Sequence, residues 1–74
     1  MTTETAVPRS VTLAADRQDA LTQARRFLMY YPYRIVGIVQ LTDGRWGWLA
    51  GTTMRSFNKL VREGHTVYKL TNNA

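Results

Sequence analysis

From Tyr33 to Ala50 the chain reads YRIVGIVQLTDGRWGWLA, two apolar-rich runs separated by Asp43-Gly44. Runs rich in β-branched and aromatic residues are strand-forming. Asp-Gly between them tolerates the positive φ angles that a two-residue hairpin turn demands, so the stretch is read as a β-hairpin. Counting outward from that turn pairs Leu41 with Trp46, Gln40 with Gly47, Val39 with Trp48, Ile38 with Leu49 and Gly37 with Ala50. Directly opposed residues share a face of the sheet. One face is therefore expected to carry Tyr33, Ile35, Val39, Leu41, Trp46, Trp48 and Ala50, and the other Arg34, Val36, Ile38, Gln40, Arg45, Gly47 and Leu49. The first holds both indoles, each able to bury ~150–250 Å², and is assigned to the core. The second has an apolar centre as well, which makes Val36, Ile38 and Leu49 a candidate dimer face covered by a second copy of the chain.

The flanking segments follow the same logic. After Pro8, the run RSVTLA alternates and puts Val11 and Leu13 on one side, as a short strand does. Asp16 has the chemistry of a helix N-cap, and Asp19, in the first turn, suits the positive end of the helix dipole. At about 100° per residue, Ala20, Leu21, Ala24, Phe27, Leu28 and Tyr31 form an apolar stripe, and Pro32 closes that helix near Tyr31. Gly51 and Thr52 break the chain again, and Thr53 is expected to cap a second helix that begins near Met54 and stops at Gly64. In that helix Met54, Phe57, Leu60 and Val61 oppose a basic stripe of Arg55, Lys59 and Arg62. Thr66 to Leu70 reads as the last strand.

The expectation is a small α+β domain of β-α-β-β-α-β order, an antiparallel sheet with the hairpin at its centre and two helices packed on one face. Split βαβ arrangements of the ferredoxin-like kind share this order of elements, and that architecture hosts unrelated functions. Residues 1–8 are expected to be a flexible tail, 9–70 a single domain and 71–74 a C-terminal tail. With 74 residues there is room for one domain, whose net stability would be ~4–11 kcal/mol.

Composition narrows the function. Hydrophobic content of 45% against 20% charged residues argues for a folded chain rather than a disordered one. Cysteine is absent, which removes disulfides, thiolate metal ligands and a thiol nucleophile together. No run is long enough to span a membrane, and MTTETAVP lacks the basic and apolar blocks of a signal peptide. A cytoplasmic location without membrane contact is the expectation. The net charge of +5 is uneven: residues 44–74 hold Arg45, Arg55, Lys59, Arg62 and Lys69 against Glu63 alone. Such a surplus favours polyanionic partners.

An enzyme is difficult to assemble from these residues. The carboxylates fall in the tail, at a helix start, in a turn and beside Arg62. The single His65 follows the helix-ending glycine, where a solvated side chain or a cation near the helix C-terminus is expected. Metal-ligand sets and phosphate-binding glycine loops are missing, so no cofactor is expected. Two readings remain. In the first the chain is a non-enzymatic nucleic-acid-binding protein, contacting DNA or RNA through Arg45, Thr53, Arg55, Asn58, Lys59, Arg62 and Lys69, with Thr52 and Ser56 as further donors at the start of the second helix. Five cations on phosphates would give a salt slope of about −4.5. Exposed Trp46 and Trp48 would add a stacking platform for single-stranded bases. In the second it is a protein–protein module of the kind small phage or plasmid proteins use to block a host protein, meeting an acidic surface and forming a homodimer. Tyr30, Tyr31 and Tyr33 are expected to pack a helix–strand corner or, alternatively, to form a binding patch.

Overall fold

A computed structural model describes residues 7–70. Six elements follow one another: β1 (Thr12–Ala14), α1 (Arg17–Tyr30), β2 (Ile35–Gln40), β3 (Trp46–Gly51), α2 (Arg55–Arg62) and β4 (Thr66–Leu70). They build an α+β domain with one four-stranded sheet of order β1-β3-β2-β4, antiparallel at every pairing. The hairpin strands are the two central ones, as expected.

The helices do not share a face. Ala20, Ala24 and Leu28 of α1 pack on Val36 and Ile38, whereas Phe57 and Leu60 of α2 pack with Val39, Leu41 and Leu49. Alternate residues of a strand point to opposite sides, so these are two cores on opposite sides of one sheet. The topology explains it. α1 links β1 to β2 across β3, and α2 links β3 to β4 across β2. Those crossovers start from strands of opposite direction, so two connections of the usual right hand cover opposite faces. Antiparallel β2–β3 pairing at the centre is thus incompatible with both helices lying together.

The hairpin turn is one residue longer than Asp-Gly alone suggests. The Leu41 amide donates to the Arg45 carbonyl at 2.8 Å and the Gly44 amide to the Leu41 carbonyl at 2.9 Å. Thr42, Asp43 and Gly44 form the loop, with positive φ at Gly44 (+93°) and not at Asp43. A type I turn followed by a left-handed glycine has this form. The Asp43 carboxylate reinforces it, accepting from the Arg45 amide at 3.0 Å and from Arg45 Nε at 2.6 Å. Register moves by one residue: Val39 faces Gly47 and Ile38 faces Trp48. Both indoles therefore lie on the face of Val36 and Ile38, and Leu49 on that of Val39, correcting the face assignment above.

Two small residues, Ala20 and Ala24, are fully buried where α1 meets the sheet. Trp46 and Trp48 pack against that core but stay half-buried; they are not its filling. The largest fully buried side chains are Phe57, Ile38, Leu49, Leu60, Val36 and Val39, each contributing ~1.5–3 kcal/mol of burial. Phe57 lies over Gly37, where a Cβ would stand 3.0 Å from its ring.

Helix ends follow capping chemistry closely at three of four termini. Asp16 accepts from the Asp19 amide at 2.8 Å, and Asp19 accepts from the amide of Ala15, one residue before the cap, at 2.9 Å. At the far end the Tyr31 amide reaches the Phe27 carbonyl before Pro32. α2 ends in a Schellman motif: the His65 amide bonds the Leu60 carbonyl, the Gly64 amide bonds the Val61 carbonyl, and Gly64 has φ of +94°. The start of α2 is the exception. Met54 occupies the cap position without a side-chain bond, and Thr53 Oγ1 receives only the Arg55 amide at 3.4 Å. The expected tails at 1–8 and 71–74 fall outside the described residues except for Val7 and Pro8, both half-buried. Val7 packs on the α2-side core, and the Pro8 carbonyl accepts from the Val11 amide at 3.0 Å.

Candidate nucleic-acid interface

Burying Phe57 and Leu60 fixes the rotation of α2 and turns Arg55, Lys59 and Arg62 to its exposed side. The three line one groove together with Glu63. None of these cations makes an ion pair among the described residues. A second cleft adjoins it, shared through Lys59 and Glu63 and lined further by Val7, Pro8, Arg9, Ser10, Ser56 and Leu60. The two together form a continuous basic surface of Arg9, Arg55, Lys59 and Arg62, with the Ser10 and Ser56 hydroxyls beside it and one carboxylate at its border.

Arg9 and Ser10 escaped the sequence reading. Ser56 was legible as a hydroxyl donor, since it stands three residues before Lys59 on the same helix. Arg9 was not, because packing of Val7 against the α2-side core brings it there from a distant part of the chain.

The other expected contacts disperse. Thr53 and Asn58 are exposed but line neither cleft. Lys69 is exposed on β4, two residues from Val67 and so on the α2 side of the sheet. Arg45 sits at the hairpin turn in an ion pair with Asp43 at 2.6 Å, outside the cluster. Its backbone amide, above all, holds the Asp43 carboxyl below the usual carboxylate range. Val36, Ile38 and Leu49 are at most 1% exposed and lie on different sides of the sheet, so they form no common surface for a second copy.

His65 is buried, not solvated. At 8% exposure, its Nδ1 accepts the Thr42 amide at 3.2 Å, which places any ring proton of the neutral form on Nε2. On the α1 side, Trp46 stacks on Tyr68 at 6.1 Å with the Arg17 guanidinium 5.9 Å from its ring centre. Among the described residues no three of His, Asp or Glu gather as a metal site, and no helix is long and apolar enough to cross a membrane.

Compared with protein-family models, with curated proteins and with solved structures, the chain shows no significant match, so the reading of this surface rests on its own residues.

Proposed function

We propose that this chain is a non-enzymatic nucleic-acid-binding protein that holds the phosphate backbone along α2. The observation that carries the reading is the joined groove, in which Arg55, Lys59 and Arg62 are exposed, close together and without ion pairs among the described residues, while Arg9 and two serine hydroxyls extend the same surface. Phosphates are bound by this combination of mobile cations and hydroxyl donors, largely irrespective of sequence. The net charge of +5 adds long-range attraction.

The test is binding of duplex and single-stranded oligonucleotides as a function of salt. Contacts from Arg9, Arg55, Lys59 and Arg62 give a slope of about −3.6 in log K against log salt, or ~150-fold weaker binding at 200 mM than at 50 mM. The Arg55→Ala, Lys59→Ala, Arg62→Ala triple variant should retain a slope near −0.9. Equal, salt-insensitive binding by the parent and this variant would refute the proposal.

A further inference from the structure

A second surface, on the α1 side of the sheet, has a different chemistry. Phe27, Tyr30, Tyr31 and Trp48 line an open cleft with Gln23 and Arg26. Its rings touch in sequence: Trp48 and Phe27 are 5.3 Å apart between centroids, Phe27 and Tyr31 4.7 Å, and Tyr31 and Tyr33 6.3 Å. The run ends where the Arg34 guanidinium lies 5.7 Å from the Tyr33 ring centre. Tyr30 is 75% exposed and Tyr33 72%. Both of these rings thus stand mostly outside the packing of the helix–strand corner.

The floor of the cleft is fixed. Trp48 Nε1 donates to Gln23 Oε1 at 3.0 Å, and Gln23 Nε2 donates to Asp19 Oδ2 at 2.9 Å. Asp19 in turn accepts from the Ala15 amide at the start of α1. This relay holds the indole in place and commits its polar atom within the chain, leaving an apolar ring surface for a ligand. The one charged group lining the cleft is Arg26.

We infer that this cleft is a docking site for an acidic segment of another protein, which inserts an aromatic or aliphatic anchor between the rings and sets a carboxylate against Arg26. Aromatic residues and arginine are the types enriched in protein interfaces, and anchors in such pockets carry most of the binding energy. Charge complementarity selects an acidic partner. A nucleobase is less well matched: the committed floor leaves its edge donors and acceptors largely without partners, whereas an apolar side chain has none to satisfy.

The experiment is selection of a random-peptide display library on the full chain, followed by titration of a synthetic peptide from the selected set. The expected sequences combine Asp or Glu with Phe, Trp, Leu or Pro. The peptide should shift the Trp48 indole N–H resonance and leave that of Trp46 unmoved. Tyr30→Ala and Arg26→Glu, both at exposed positions that leave the fold intact, should each weaken binding by at least ~10-fold. The inference is overturned by recovery of no binders, by peptides without acidic bias, or by binding that both substitutions leave unchanged. It is equally overturned if a single-stranded oligothymidylate or anionic vesicles move the Trp48 resonance and the peptide does not. None of these outcomes depends on whether α2 binds nucleic acid.

Discussion

The backbone amide of Thr42 donates to Nδ1 of His65 across 3.2 Å and across 23 residues of sequence, tying the hairpin loop to the chain just beyond α2. Among the described residues His65 is the one buried polar side chain in the core, and Gly64 before it makes the turn out of the helix. The tie therefore joins the central hairpin to the element that carries the basic groove. Replacing His65 by alanine removes the bond and vacates a buried site. The expected cost is ~1–3 kcal/mol, read as a lower urea midpoint with an unchanged slope.

Two glycines should respond to alanine for different reasons. At Gly64 the added Cβ meets only Thr42 Cγ2 at 3.5 Å, so the cost is the left-handed backbone itself, ~1–2 kcal/mol. At Gly47 the Cβ would stand 2.6 Å from the Thr12 carbonyl oxygen and 2.7 Å from Val11 Cγ1, which β1 must move to relieve. Hydrogen exchange separates the cases: Gly47→Ala should expose the β1 amides selectively, and Gly64→Ala should lower protection throughout the domain.

Acid should destabilise the protein through Asp19 and Asp43. The Ala15 amide, then the Gln23 side chain, hold the Asp19 carboxyl below its ordinary value; the Arg45 amide leads for Asp43. Both carboxyls thus bind protons less readily folded than unfolded. Their contribution is present above the unfolded value of ~3.9 and is lost as pH falls through the lower folded values. Urea midpoints measured from neutral pH downward should stay level, then fall below about pH 4. Asp19→Asn should start lower and fall less steeply.

Cations inside and outside the groove should separate in salt titrations of nucleic-acid binding. Arg9→Ala should reduce the slope by about 0.9, as expected for one lost phosphate contact. Arg45→Ala should leave it unchanged, because Arg45 is paired with Asp43 at the hairpin turn.

How far the sequence carried can be judged at particular residues. Asp16, Asp19, Pro32 and Gly64 are local signals, and each ends or starts its helix as read. The hairpin was legible, but its register was not. β2 carries Ile35 and Val39 on one side and Val36 and Ile38 on the other, so a shift of one residue exchanges two apolar faces and the hydrophobic pattern cannot tell them apart. What decided it was the loop, where the Asp43 side chain bonds Arg45 and leaves positive φ to Gly44 alone. That error also made Val36, Ile38 and Leu49 resemble one face. The basic stripe of α2 followed from helical periodicity. The tyrosine cluster was legible as an alternative binding patch, but Arg9 and the placing of Trp48 beside Phe27 were not, since both depend on contacts between elements remote in sequence.

With α1 and α2 on opposite sides of the sheet, the aromatic cleft and the basic groove stand back to back, separated by the strands that supply both cores. A molecule seated in one leaves the other open to solvent. Saturation of either side should therefore not displace an occupant of the other, and the small domain has the geometry of a bridge between two unlike molecules.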